Sequence, residues 1–174
     1  MERDSTGTRP RVEPELLWAA LERSGFRVPV PPPFVEWFGH TPELARELGE
    51  LVRDGRKKAS AGLPWMWELD GEEPPRPGER AVVVDWDGAP LAVVEITDAR
   101  IVPFDEVDEA FAREEGEGDG SLGWWRRAHW EYFSRECAEM GREPSATMPV
   151  LCWKFRLVHA VPSRPATSRA TGET

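Results

Sequence analysis

The sequence predicts an α+β protein whose mostly antiparallel sheet curls into a small β-barrel with helices on its flanks. Three observations carry this expectation. Apolar residues recur at helical spacing in the first third of the chain and again near 122–140, whereas from Ala81 the period changes to two. Asp87 and Gly88 separate two period-two runs and predict a hairpin turn. A final alternating run, "VLCWKFRLV", supplies a further half-buried strand.

Residues 1–12 and 160–174 are polar and aperiodic, rich in Pro, Ser and Thr, and are expected to be disordered tails. Residues 13–40 form a helical lead-in expected to pack on the domain, and 41–159 the domain itself. Within the lead-in, "PELLWAALERSGF" reads as a helix with Leu17, Trp18 and Leu21 on one side and Gly25 as its stop. "RVPVPPP" is extended, because consecutive prolines exclude helix. After the aromatic cluster "FVEWFG", Thr41 caps a helix with Pro42 at its first position. That helix runs to about Asp54, with Leu44, Leu48, Leu51 and Val52 inward and Gly55 as terminator.

"AVVVDW" and "APLAVVEIT" form the predicted hairpin, and "ARIVPF" a third strand. "DEVDEAFAREE" reads as a short helix with Val107 and Phe111 inward. The strongest helix lies in "SLGWWRRAHWEYFSRECAEMG", where Leu122, Trp125, His129, Tyr132, Phe133 and Met140 recur at helical spacing and Gly141 ends the run. In the last strand, Leu151, Trp153, Phe155 and Leu157 alternate with Cys152, Lys154 and Arg156.

Composition narrows the function classes. The chain has 174 residues, 40% of them hydrophobic, with nine tryptophans, which suffices for one sizeable core. A net charge of −10 gives no general attraction to nucleic acid, so double-stranded DNA is not an expected partner, and RNA contact needs a local basic patch. No apolar run approaches the roughly 20 residues that span a membrane, and "MERDSTGTRPR" lacks a signal-peptide stretch. A cytoplasmic protein without membrane contact is expected. Cys137 and Cys152 lack metal-ligand spacing and read as small buried residues.

Two segments attract chemistry. Arg56, Lys57 and Lys58 form the densest basic patch, just after a helix end, where cations also complement the helix dipole without any further role. "EEGEGDG" concentrates Glu114, Glu115, Glu117 and Asp119 on a glycine-broken turn, either as a solvated connector or as a site needing carboxylates on a tight backbone. His129 lies on an apolar helix face, where a hydrogen-bonded structural role is the ordinary one. Arg126 is expected to pin the acidic turn through Glu117 or Asp119. Trp65, Trp67 and Trp124 are candidate stacking surfaces for a base. A divalent cation on Glu115, Glu117 and Asp119 is chemically allowed, but no His or Cys spacing supports it, so neither a metal nor a cofactor is expected.

The stretch "EEGEGDGSLGWWRRAHWEYF" resembles the signature of the ASCH domain, a PUA-like β-barrel family, in its bacterial "EGEGD" subfamily. "GRKKAS" is similar to that family's Gly-x-Lys-x-x-Thr/Ser segment, "PRPGER" to its Pro-x-x-Gly-Asp/Glu turn, and "PFDEVDEAFA" to the segment before the acidic signature. The resemblance covers about Phe38 to Val158. It implies a cleft between barrel and helices suited to RNA or a nucleoside. Some relatives are amidohydrolases on N4-acylated cytidines using a Lys, a Thr and a Glu, and others are ribonucleases. Carried over, these residues fall on Lys57, Ser60 and Glu115. Arg56, Lys58, Trp65, Trp67 and Trp124 are then expected at the substrate, with Glu117, Asp119, Arg126 and His129 supporting the turn. The amidohydrolase relatives carry an arginine where this chain has Gly62.

The leading expectation is therefore a hydrolase cleaving single-stranded RNA, with Lys57 stabilising the phosphorane and Glu115 as base. The alternatives are an amidohydrolase, in which a deprotonated Lys57 activates Ser60, and a non-catalytic RNA- or nucleoside-binding module.

Overall fold

Proline placement shapes the first elements of the computed structural model, which describes residues 12–162. Of the tails assigned to 1–12 and 160–174, residues 1–11 and 163–174 lie outside the described residues. Helix α1 (Pro14–Arg23) starts on a proline and buries Leu17 and Leu21. The proline-rich connector then delivers the chain to β1 (Phe34–Trp37). This strand falls inside the segment read as a helical lead-in, because four residues are too short to display a period of two. It pairs in parallel with β3 (Arg80–Val84), Phe34 opposite Ala81 and Trp37 opposite Val84.

Helix α2 (Pro42–Arg53) follows, with Thr41 Oγ1 accepting from Leu44 N at 3.2 Å as the cap. Its innermost residues are Ala45, Leu48, Gly49 and Val52, while Leu44 and Leu51 lie at the margin of the core. The remaining elements are β2 (Ala59–Gly62), α3 (Pro64–Asp70), β4 (Pro90–Pro103), a 3₁₀ turn (Phe104–Glu106), α4 (Glu109–Glu115), α5 (Leu122–Glu139) and β5 (Pro149–Ala160). Strands lie in the order β1-β3-β4-β5-β2, antiparallel except for the first pair, and the sheet curls into a half-barrel.

Three expectations change here. The runs "APLAVVEIT" and "ARIVPF" are one strand of 14 residues, because a bulge between Ile96 and Asp98 re-aims the chain without ending its pairing with β5. Strand β5 is not half-buried throughout. Val150 and Cys152 face the α4–α5 core, Leu151, Trp153 and Phe155 face the α2 core, and Leu157 is exposed. It also runs to Ala160, and Val161 N donates to Leu91 O at 2.9 Å, so order continues into the expected tail.

The core has three parts. Helices α4 and α5 cover one sheet face through Phe111, Trp125, Phe133 and Cys137. Helix α2 covers another region through Leu48 and Val52, where Trp67 meets Trp153 edge-on at 5.5 Å. Helix α1, through Leu17 and Leu21, and Phe26 just after it seal Val82, Val84 and Val93. Each large apolar side chain buried this way contributes about 1.5–3 kcal/mol of transfer free energy. Among the described residues, no helix is long and apolar enough to cross a membrane. Cys137 and Cys152 are free and buried, and burial pushes the Cys152 thiol up to about 12.

Candidate functional site

The end of α2 decides which basic side chain turns inward. Gly55, at φ +71°, turns the helix end, and the N–H groups of Arg56 and Lys57 both donate to Leu51 O, at 2.8 and 3.0 Å. Lys58 is then held from two sides: its N–H donates to Glu114 O at 2.8 Å, and its carbonyl accepts from Phe155 N at 2.9 Å. With the backbone fixed there, Lys57 points into the molecule and is 2% exposed, while Arg56 and Lys58 face solvent.

The acidic turn is built to meet that lysine. Asp108 caps α4 by accepting from Phe111 N at 2.8 Å, and the helix ends at Gly116, at φ +70°. A β-carbon at Gly116 would lie 2.6 Å from Arg56 O, so only glycine allows the two segments to touch. Glu115 and Glu117 thereby fall on Lys57 from either side of the turn. Lys57 Nζ lies 2.6 Å from Glu117 Oε1, 3.5 Å from Glu115 Oε1 and 5.1 Å from the centre of the Phe38 ring.

Helix α5 supplies the fourth member. His129, on the same face as Trp125, stacks on its indole at 4.1 Å and 14°. His129 Nδ1 lies 3.0 Å from Trp125 O and Nε2 lies 3.3 Å from Glu115 Oε1. Both partners are acceptors, so both ring nitrogens must donate, which requires the imidazolium. Trp125 Nε1–H donates to Glu115 Oε2. Glu115, 1% exposed, is therefore held by donors on both oxygens.

Burial and neighbouring charges compete over each group's protonation. Burial raises the Glu115 carboxyl, but the charges of His129 and Lys57 and the two hydrogen bonds hold it well below the usual carboxylate range. Burial lowers Lys57, yet the Glu117 and Glu115 carboxylates outweigh it and leave the ammonium above its ordinary value. Burial likewise opposes the His129 cation, and Glu115 more than offsets it. Lys57 is accordingly held charged, which corrects the expectation of a deprotonated lysine serving as base. Two cations and two carboxylates make a group with no net charge.

This group underlies a cleft of about 1300 Å³ between the sheet, α3 and α5. Phe34, Trp37, Phe38, Trp67 and Tyr132 supply aromatic wall, and Ser60, Glu115, Glu117 and His129 line the same space. Among the described residues Ser60 Oγ has no hydrogen-bond partner, and the residue is 6% exposed. Of the five residues expected at a substrate, Trp67 and Trp124 reach this cleft. Arg56 lies at a separate shallow hollow beside Gly116 and Gly118, Lys58 is exposed outside the cleft, and Trp65 is covered by the Arg142 guanidinium at 4.3 Å. Gly62 sits under Trp67, whose ring would be 2.8 Å from any β-carbon there, so an arginine has no room at that position.

Two supporting roles differ from expectation. Arg126 does not pin the acidic turn, because its guanidinium donates to Asp105 O at 3.0 Å and ties α5 to the 3₁₀ turn. Asp119 holds the turn locally, accepting from Ser121 N at 2.9 Å and from Ser121 Oγ at 2.6 Å. Those two bonds, the hydroxyl's first, lower its carboxyl. Glu117, read as a turn former, instead carries the shortest charge contact to Lys57. With Asp119 turned toward Ser121, Glu115, Glu117 and Asp119 do not converge, and among the described residues no three His, Cys, Asp or Glu side chains are arranged to hold a metal ion. Sequence reasoning also missed Phe38, His40, Tyr132 and Arg135 at the cleft, where Arg135 Nη2 lies 3.2 Å from His40 Nε2. The adjacent aromatics "WFGH" were the available signal.

Comparisons with known proteins agree with this architecture. The family model described as the ASCH domain matches residues 35–159. A crystal structure of an ASCH domain from Lactobacillus crispatus JV V101 is 35% identical, covers 84% of this chain and 96% of its own, and superposes with a TM-score of 0.75. A crystal structure of a protein from Enterococcus faecalis V583 is 28% identical over 84% of this chain and 88% of its own, with a TM-score of 0.71. No curated protein matches the chain.

Proposed function

The chain belongs to the ASCH domain family, which is generally thought to bind RNA, and from that premise we propose that it takes a nucleoside in its cleft and hydrolyses an N-acyl amide on the base. One observation carries the reading: a buried, charged Lys57 clamped between Glu115 and Glu117 beneath an aromatic-walled cleft that also holds an unpartnered Ser60 hydroxyl. Aromatic faces suit a planar base. The Ser60 hydroxyl attacks the acyl carbonyl, and the Lys57 ammonium offers a fixed positive charge to the developing oxyanion.

Charge balance favours this substrate over an RNA strand. Cleaving a phosphodiester needs cations at the phosphate, and the group beneath the cleft has no net charge. Arg56 and Lys58 lie outside the cleft. A polyanion would also pass Glu72, Glu73, Glu79, Glu131 and Glu139 on the lining, against one arginine, Arg135. Against the amidohydrolase pattern stand Ser60 for the threonine, which keeps the hydroxyl, and Gly62 for the arginine, whose space Trp67 fills.

Purified protein incubated with a panel of N4-acylated cytidines, and in parallel with labelled single-stranded RNA, tests the proposal by chromatography. The expected result is deacylated nucleoside with wild type, none with Lys57→Ala, and intact RNA. Intact nucleosides across the panel would remove the amidohydrolase reading, and strand cleavage that depends on Lys57 would replace it with the ribonuclease one.

A further inference from the structure

We infer that Glu117, rather than Glu115, is the carboxylate that takes and returns the proton in this cleft, with His129 as a positioning residue that keeps Glu115 occupied. The inference rests on the amidohydrolase reading above and assigns its proton chemistry. Glu115 is the residue that the sequence signature brings forward. In the structure, however, its Oε2 receives Trp125 Nε1–H, and its Oε1 lies 3.3 Å from His129 Nε2 and 3.5 Å from Lys57 Nζ. Its side chain is 1% exposed. A carboxylate with donors on both oxygens and almost no exposed surface is an anchor for three other groups, and it is poorly placed to accept a further proton.

Glu117 is built differently. Its side chain is 15% exposed, lines the cleft and makes one strong contact, Oε1 to Lys57 Nζ at 2.6 Å. Among the described residues Oε2 has no hydrogen-bond partner, so one oxygen is anchored and the other is available to a ligand. Lys57 is fixed as a cation by the two carboxylates and cannot be the base. The remaining charged groups facing Glu117 are Lys57 from the α2–β2 connection, Glu115 from α4 and His129 from α5.

The proton accounting closes with water as the only co-reactant. Ser60 Oγ bonds to the acyl carbon while its proton passes to Glu117. The carbon–nitrogen bond then breaks as Glu117 returns that proton to the leaving amine. Water next attacks the acyl ester, giving its proton to Glu117, and the ester bond breaks as the proton returns to Ser60 Oγ. The products are a carboxylic acid and the free amine, and Glu117 is regenerated.

The test compares pH–rate profiles of wild type, Glu117→Gln, Glu117→Asp and His129→Gln on the acylated nucleosides. It adds a carboxyl ¹³C titration of glutamate-labelled protein, which needs no substrate. Glu117→Gln should keep the fold, lose about 100-fold or more in kcat and lose the acid limb of the profile. Glu117→Asp should restore part of the rate and the limb. His129→Gln should keep the limb while kcat falls, because the misaligned Glu115 no longer holds Lys57 in place. An active wild type whose Glu117→Gln variant stays within about threefold, with its acid limb intact, overturns the assignment and leaves the amidohydrolase reading standing. A wild type that deacylates nothing removes the amidohydrolase reading, and the titration then decides the assignment. Glu117 titrating reversibly with solvent while Glu115 stays ionised until the fold is lost supports it, and the opposite order overturns it.

Discussion

At the scale of single residues, Lys57 is the side chain on which the site depends. Removing it leaves Glu115 and Glu117 as neighbouring carboxylates with the shared cation gone, one of them buried. Breaking a buried pair in this way costs about 3–5 kcal/mol, so Lys57→Met should show a markedly lower urea midpoint. Lys58→Ala, on the exposed neighbour, should change stability by less than about 0.5 kcal/mol. Proton linkage adds a second expectation. His129 has a raised folded pKa, first opposed by burial and then outweighed by Glu115. Its contribution is therefore full below the unfolded value of about 6.5 and is lost as pH rises through the folded value. Glu115 is depressed, so its contribution is present above about 4.3 and is lost as pH falls toward the folded value. Urea midpoints of wild type and His129→Gln across pH should converge on the alkaline side. A gap independent of pH would refute the imidazolium–carboxylate pair.

At the scale of elements, helix ends hold the site together. Ser121 caps α5 by accepting from Trp124 N at 3.1 Å, and Ser121→Ala should lower stability by about 1 kcal/mol in thermal unfolding. Gly116→Ala should cost more, because the position has positive φ and the new methyl would meet the Arg56 carbonyl. Relieving that contact separates the acidic turn from Lys57, so activity should fall further than stability in the same variant. The cap at Thr41 and the stop at Gly55 were legible, since each is a local hydrogen-bond or dihedral requirement. Strand β2 was not, because "ASAG" has weak strand propensity and is held by β5, with Ser60 opposite Trp153. Helix α3 was also missed, a seven-residue helix too short to show a period.

At the scale of the whole molecule, α1 is part of the core and not an appendage. Leu21 is fully buried against Val82, Val84 and Val93, so Leu21→Ala should destabilise by about 2–5 kcal/mol in the same cooperative transition that unfolds the sheet. Separate transitions for α1 and the sheet, followed by tryptophan fluorescence and circular dichroism, would show instead that the lead-in is an independent unit. The sheet itself reaches into that segment through β1, which closes one side of the cleft with Phe34 and Trp37.

The sequence by itself determined the α+β class, most element positions, the Thr41 cap and the Gly55 stop. These are local matters, settled by periodicity, dihedral preference and short motifs. Only the tertiary structure decided that Lys57 points inward and Lys58 outward, because the Lys58 N–H donates to Glu114 O and the Lys58 carbonyl accepts from Phe155 N, which sets the backbone there. It alone turned Glu117 from a turn former into the partner of Lys57 and gave His129 two acceptors. The charge state of each group depends on neighbours up to 72 positions away, from Lys57 to His129, and on burial that no single segment specifies.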